Sequence, residues 1–221
     1  MSATARTGST RRKTTGDTPR ERRRKARGRI ISRALALAGE RSFRDLTIDE
    51  IARSAGVSRP AFYTHFADKQ ELLLAAVEEV SDRLYEMAER WWRGVGPPAE
   101  RVRRAIDGVV SVYAEDAALL RIATEVSTYD EEVRALWLDI AKRFIEATAG
   151  HIRSEQELGL IPPALDARTT AESLFWMAER CCYVYLGRGE RTPAQVVDAL
   201  APLWTATLYP GVIPAGQLSP R

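Results

Sequence analysis

Histidine, cysteine and methionine are scarce in this chain of 221 residues, with two, two and three copies respectively. That shortage removes several kinds of chemistry. Cys181 and Cys182 are adjacent in an apolar stretch, which is neither a disulfide framework nor a zinc spacing, and they read as small core hydrophobes. His65 and His151 lie far apart, and no Ser-His-Asp signature accompanies either. His151 and Glu155 have the i, i+4 spacing of a metal pair, but a solvated helix face accounts for them. Gly187-Arg188-Gly189 lacks the third glycine and the preceding strand of a dinucleotide loop and reads as a helix stop. No enzyme, metal or cofactor is expected. No apolar run reaches the eighteen residues of a membrane span, and the basic, polar N-terminus lacks the apolar core of a signal peptide. A soluble cytoplasmic protein is therefore the expectation. Sustained period-two alternation is missing as well, which argues against strands and for an all-α chain.

Charge is present and unevenly placed. Residues 1–66 hold 16 Lys+Arg against 6 Asp+Glu, a net +10, whereas residues 67–221 hold 17 against 24, a net −7. A basic N-terminal module on an acidic body suits a phosphate-facing end and a solvent-facing remainder.

Within the basic part, Thr47 to His65 reads as two short helices around a turn. Thr47 and Glu50 form a T-x-x-E capping box, and Ile48, Ile51, Ala52 and Ala55 keep the spacing of one buried helical face. Gly56 is suited to the left-handed conformation at a helix end. Ser58 restarts the chain as an N-cap, with Pro60 tolerated in the first turn. Helix, glycine turn and capped second helix make a helix-turn-helix, whose second member enters the major groove of DNA. Phe43, Leu35, Leu46, Ile48, Ile51, Val57 and Phe62 are its expected core, and Phe66 joins Phe62 in framing the turn.

On either side, the pattern divides the chain into a disordered basic arm (1–17), a DNA-binding domain (18–66), a helical ligand-binding and dimerisation domain (67–210) and a flexible tail (211–221). Thr18, Pro19 and Glu21 open an Arg-rich first helix, and Asp68 to Glu71 cap a fourth that runs to about Trp92. At about 1.5 Å per residue that helix spans on the order of 36 Å, enough to link two domains. Gly94 to Pro98 is the clearest break, and helices follow near 99–114, 116–127, 130–158, 166–187 and 193–208, about nine in all. The 166–187 helix is apolar all round, so a second copy of the chain could cover one face. Val196, Val197, Leu200, Leu203, Trp204 and Leu208 offer a matching stripe, and a two-fold homodimer through these two helices is expected.

Basic arm, capped first helix, TIDEIARSAGVSRPAFYTHFADKQELL and a helical remainder resemble the TetR family of bacterial regulators over residues 20–75. The family motif matches at Val57, Ser58, Phe62, Tyr63, His65, Phe66, Lys69 and Leu72. The C-terminal half is similar to the mycobacterial ethionamide-resistance regulator branch, although Phe175 and Ala178 stand where that branch carries asparagines. The resemblance implies base or near-base positions for Ser58, Arg59, Ala61 and Thr64, with Arg59 able to read guanine through its forked guanidinium. It implies phosphate contacts for Thr47, Tyr63, His65 and Lys69. It further implies a hydrophobic effector among Tyr113, Trp137, Phe144, Trp176, Met177, Glu179, Tyr183 and Trp204, with no cofactor. Glu179 and Arg180 are the odd members of their helix and need separate partners if buried. The expected protein is thus a ligand-responsive, homodimeric DNA-binding repressor on a pseudo-palindromic operator. The alternatives are an activator or dual regulator of the same fold and, remotely, a helical carrier of hydrophobic ligands.

Overall fold

Capping chemistry sets where the helices begin. The computed structural model describes residues 18–211, apart from the side chains of residues 90–92; the expectations for 1–17 and 212–221 lie outside the described residues. Helix α1 (Pro19–Glu40) starts on Thr18, whose hydroxyl accepts from the Glu21 N–H while Glu21 accepts from the Thr18 N–H. A 3₁₀ turn, Phe43–Asp45, leads into α2 (Ile48–Ala55), which opens on the same reciprocal box between Thr47 and Glu50. Gly56 then takes φ 67° and ψ 34°, and the Val57 N–H reaches back to the Ala52 carbonyl at 3.0 Å. That left-handed residue ends α2 and aims the chain into α3 (Arg59–Tyr63), capped by Ser58.

Six further helices follow: α4 (Lys69–Trp92), α5 (Pro98–Glu115), α6 (Ala117–Val126), α7 (Glu131–Glu157), α8 (Ala167–Cys181) and α9 (Pro193–Leu208). Among the described residues there is no strand, and no helix is long and apolar enough to cross a membrane. The expected 166–187 helix is two pieces, because α8 loosens into a π turn over Cys182–Leu186. The Gly187 N–H bonds the Cys182 carbonyl at 3.1 Å, and a Cβ on Gly187 would lie 2.5 Å from the Tyr183 carbonyl oxygen, so glycine permits this turn.

One long helix unites the packing. Helix α4 touches α1 at its start and α5, α6 and α7 along its length. Its Leu72 and Leu73 are fully buried with Ile30, Ile51 and Phe62 of the helix-turn-helix, and Val80 and Leu84 are buried further along. Where α5 crosses, Gly108 lets the backbones close, since a Cβ there would meet Met87 at 3.3 Å. Arg83 of α4 holds Asp116 at 2.7 Å and Glu115 at 2.5 Å at the α5–α6 junction. Arg143 of α7 reaches Asp82 at 3.2 Å and lies over the Tyr85 ring.

Two expectations change. The stripe on α9 is largely internal: Val196, Val197, Leu200, Trp204 and Leu208 are buried, with α5 as the helix's main neighbour, and only Leu203 of that set is exposed, at 52%. A stripe at helical spacing fits a chain's own core as well as it fits a partner. His151 and Glu155, taken as a solvated face, instead sit in the interior, with side chains only 9% and 6% exposed. There Arg101 of α5 pairs with Glu155 at 2.6 Å, and the Tyr209 hydroxyl donates to the other carboxylate oxygen, tying α5, α7 and the end of α9 together. Removing one member of a buried ion pair leaves an uncompensated charge. Arg101→Ala should therefore cost about 3–5 kcal/mol and lower the melting temperature by roughly 6–20 °C in calorimetry; a shift near zero would show that the pair does not hold these helices.

Candidate DNA-binding face and ligand cavity

On the helix-turn-helix, Arg59, Tyr63 and Thr64 stand exposed on and just beyond α3, while Phe62 and Phe66 are buried beneath them. Ser58 accepts from the Ala61 N–H at 3.2 Å, fixing the helix start. Arg59, the residue expected to read guanine, is exposed and is not loose. Its Nη1 donates to Asp49 of α2 at 3.1 Å, its Nη2 lies 3.4 Å from the Tyr63 hydroxyl, and its guanidinium sits over the Tyr63 ring. The Tyr63 hydroxyl and Asp49 stabilise its charged form further. A guanidinium held across the turn loses less side-chain entropy on meeting a base than a free one. Thr64 donates to the Ala61 carbonyl at 2.7 Å, and its own carbonyl accepts from Arg23 of α1 at 3.1 Å. Arg27, also of α1, lies over the Phe66 ring at 4.9 Å. The basic first helix thus braces the end of the reading helix.

Those arginines also act on His65. Burial first, then Arg23 and Arg27, lower its pKa, and its Nδ1 is buried without a hydrogen-bond partner. These effects favour the neutral form of the His65 ring. Lys69 departs from expectation. Its ammonium donates to the carbonyls of Phe43 at 3.1 Å, Arg44 at 2.6 Å and Leu46 at 2.9 Å, so all three protons are engaged within the protein. It is a strut between α4 and the 3₁₀ turn rather than an open phosphate ligand. The Thr47 hydroxyl is likewise occupied by Glu50, which accepts from it at 2.7 Å.

In the C-terminal part a cavity of about 90 Å³ lies between α4, α5, α7, α8 and α9, and its wall is almost wholly apolar. Of the expected residues, Tyr113, Trp137, Phe144, Glu179 and Trp204 line it. Trp176, Met177 and Tyr183 do not. Trp176 packs edge-on against Phe175, Tyr183 lies beneath the Arg180 guanidinium, and Met177 faces a shallow groove on the outer side of α8 and α9. The helix is apolar all round, so sequence alone could not say which face turned inward. Val77, Ser81, Leu84 and Ala88 of α4 supply a wall that went unnoticed, although their spacing is helical. Glu179 is the acid of this wall, and burial raises its pKa despite the neighbouring Arg180.

Two known families match parts of the chain. Residues 30–76 match the family of bacterial regulatory proteins described as tetR, and residues 102–210 match the C-terminal domain of the transcriptional regulator EthR. The HTH-type transcriptional regulator BetI of Rhizobium meliloti is 32% identical over 152 residues, covering 68% of this chain and 71% of that protein. The chain belongs to the TetR family. EthR of Mycolicibacterium smegmatis is 28% identical over 190 residues, covering 85% of this chain and 87% of EthR. In fold, the solved fatty acid degradation regulator FadR of Bacillus halodurans superposes with a TM-score of 0.72 at 18% identity, over 94% of this chain and all of that one. This TetR-family chain is a DNA-binding transcriptional regulator with an N-terminal helix-turn-helix.

Asp49, Arg23 and Arg27 were missed as parts of the reading face, and nothing in a linear pattern links Asp49 to a residue ten positions on across a turn. Two measurements test the face. Arg59→Ala should weaken binding to the specific site by about 10–150-fold while changing affinity for unrelated duplex far less, read by fluorescence anisotropy on both. The second concerns acid. Arg41 first, and the Thr47 cap second, hold the Glu50 carboxyl at about 2, below its ordinary 4.5. A depressed carboxyl contributes stability that is complete above its unfolded pKa and is lost as pH falls through the folded one. Melting temperature should therefore fall between pH 4.5 and about 2, and Glu50→Gln should flatten that part of the profile.

Proposed function

We propose that the chain is a homodimeric repressor that occupies a pseudo-palindromic operator and leaves it when an apolar small molecule enters the cavity. The observation that carries this reading is the double duty of α4. Its Leu72 and Leu73 are buried in the helix-turn-helix core, and its Val77, Ser81, Leu84 and Ala88 form a wall of the cavity. A drug-sized ligand needs roughly 300 Å³ or more, whereas the cavity offers about 90 Å³. Entry must push the walls apart, and α4 carries that displacement to the reading helix. A second route runs through α6, where Leu120 lines the cavity and the adjacent Arg121 donates to the Ala38 carbonyl at the end of α1, at 3.2 Å.

On a two-fold operator the reading helices must sit about one DNA turn apart, roughly 34–36 Å or a multiple. A ligand that binds better to the wrong spacing draws the population off DNA. Ser58, Arg59, Ala61 and Thr64 face base edges in this reading, with Tyr63 and the helix start at Thr47 on phosphates. The two copies meet through the outer faces of α8 and α9, where Leu174, Met177 and Leu203 line the shallow groove. Occupying a promoter requires no contact with polymerase, which favours repression.

Leu203→Asp would place a charge in the centre of that interface. It should convert the protein from dimer to monomer in sedimentation velocity and reduce affinity for a selected palindrome at least tenfold, since two linked readers bind far more tightly than one. A Leu203→Asp protein that remains dimeric, or a wild-type chain that selects no symmetric site from a random duplex pool, would defeat the proposal.

A further inference from the structure

The cavity holds an acid without a matching donor. Glu179 lies on the inward side of α8 and is 3% exposed. Its Oε2 has no hydrogen-bond partner. Arg180 Nε stands 3.9 Å from that oxygen, beyond hydrogen-bonding range, and the Arg180 side chain is 60% exposed with its guanidinium over the Tyr183 ring. A carboxylate removed from water in this way is costly unless something donates to it.

The surroundings do not remedy the deficit. From α5, Tyr113 is fully buried, and burial pushes its hydroxyl well above the ordinary range. From the π turn, burial likewise pushes the Cys182 thiol up, and Glu179 adds to both shifts. Both therefore stay neutral and bring no positive charge to the carboxylate. Across the cavity, the Ser81 hydroxyl accepts from Arg143 at 3.2 Å, and it too is no hydrogen-bond partner of Glu179 Oε2. Aromatic and aliphatic groups such as Trp137, Phe144, Phe175 and Ile106 make up most of the rest.

We propose that the cavity selects an apolar molecule bearing one protonated amine, whose N–H groups donate to Glu179 Oε2 while its hydrocarbon part lies against the aromatic wall. This rests on the cavity being the effector site. An ammonium suits Glu179 better than a hydroxyl because a bond between two charged groups is about twice as strong as a neutral one. It also supplies the compensating charge that Arg180, turned to solvent, supplies only weakly. A carboxylate-headed lipid would set like charges together in a dry cavity and is disfavoured.

The test is a head-group series on one tail, with octylamine, octan-1-ol and octanoate titrated into the full-length protein by calorimetry. Octylamine should bind roughly tenfold or more tightly than octan-1-ol, the difference between a charged and a neutral hydrogen bond, and octanoate should bind most weakly. Glu179→Gln, of the same shape, should erase the octylamine preference and leave octan-1-ol affinity within about twofold. Equal or better binding of octan-1-ol or octanoate in the wild type, which needs no variant to fold, overturns the amine assignment and leaves the effector cavity standing. An octylamine preference that survives in Glu179→Gln overturns it too. Failure of all three probes to bind overturns the effector cavity itself, and the amine assignment with it.

Discussion

Three hydrogen bonds from one ammonium fix the relation between the two halves of this protein. Lys69 Nζ, in the first turn of α4, donates to the carbonyls of Phe43, Arg44 and Leu46 in the segment that leads into the helix-turn-helix. A partly buried ammonium is costly when its protons are unmet, and burial does lower the Lys69 pKa. With all three met, the start of α4 is locked to the DNA-binding core at a polar point, and Leu72 and Leu73 lock it at an apolar one. In the proposed mechanism, this double attachment is what lets a shift of the far part of α4 reach the reading helix.

Electrostatics follow the same division. The arginines of α1 turn inward to brace α3, through Arg23 on the Thr64 carbonyl and Arg27 on the Phe66 ring, as well as outward to solvent. Asp49 holds Arg59 across the turn without burying it, since both side chains remain more than half exposed. An exposed pair of this kind contributes little stability, so it orients the guanidinium more than it stabilises the fold. In the C-terminal part three ion-pair sites join separate helices, with Arg83 and Arg143 linking α4 to its neighbours and Arg101 with Glu155 closing the interior.

Local chemistry was the legible part of the sequence. Capping boxes at Thr18 and Thr47, the N-caps at Ser58 and Asp68, and the glycine at 56 each act within a few residues, so their positions translate directly into helix ends. What depends on distant partners was not legible. Lys69 looked like a phosphate ligand because its three carbonyl acceptors lie more than twenty residues upstream. His151 and Glu155 looked solvated because Arg101 and Tyr209, which pair with Glu155, come from other helices. Large aromatic residues gave four of the cavity's lining groups and Glu179 a fifth, but the stretch 174–186 is apolar on every face, and the small residues Ala88 and Ala105 that leave the space carry no signal of their own. The π turn at Cys182 had no mark beyond Gly187.

In the proposed mechanism, filling the cavity and holding the operator oppose one another through α4. Linkage makes that opposition quantitative, since each ligand must weaken the other by the same factor. The direct measurement is the affinity of the dimer for a selected palindrome at rising concentrations of octylamine or octan-1-ol, whichever binds more tightly, alongside the probe's affinity with and without saturating operator. Equal weakening in both directions, on the order of 5–150-fold, is the predicted result. Operator affinity that stays constant while calorimetry shows the cavity filled would contradict it.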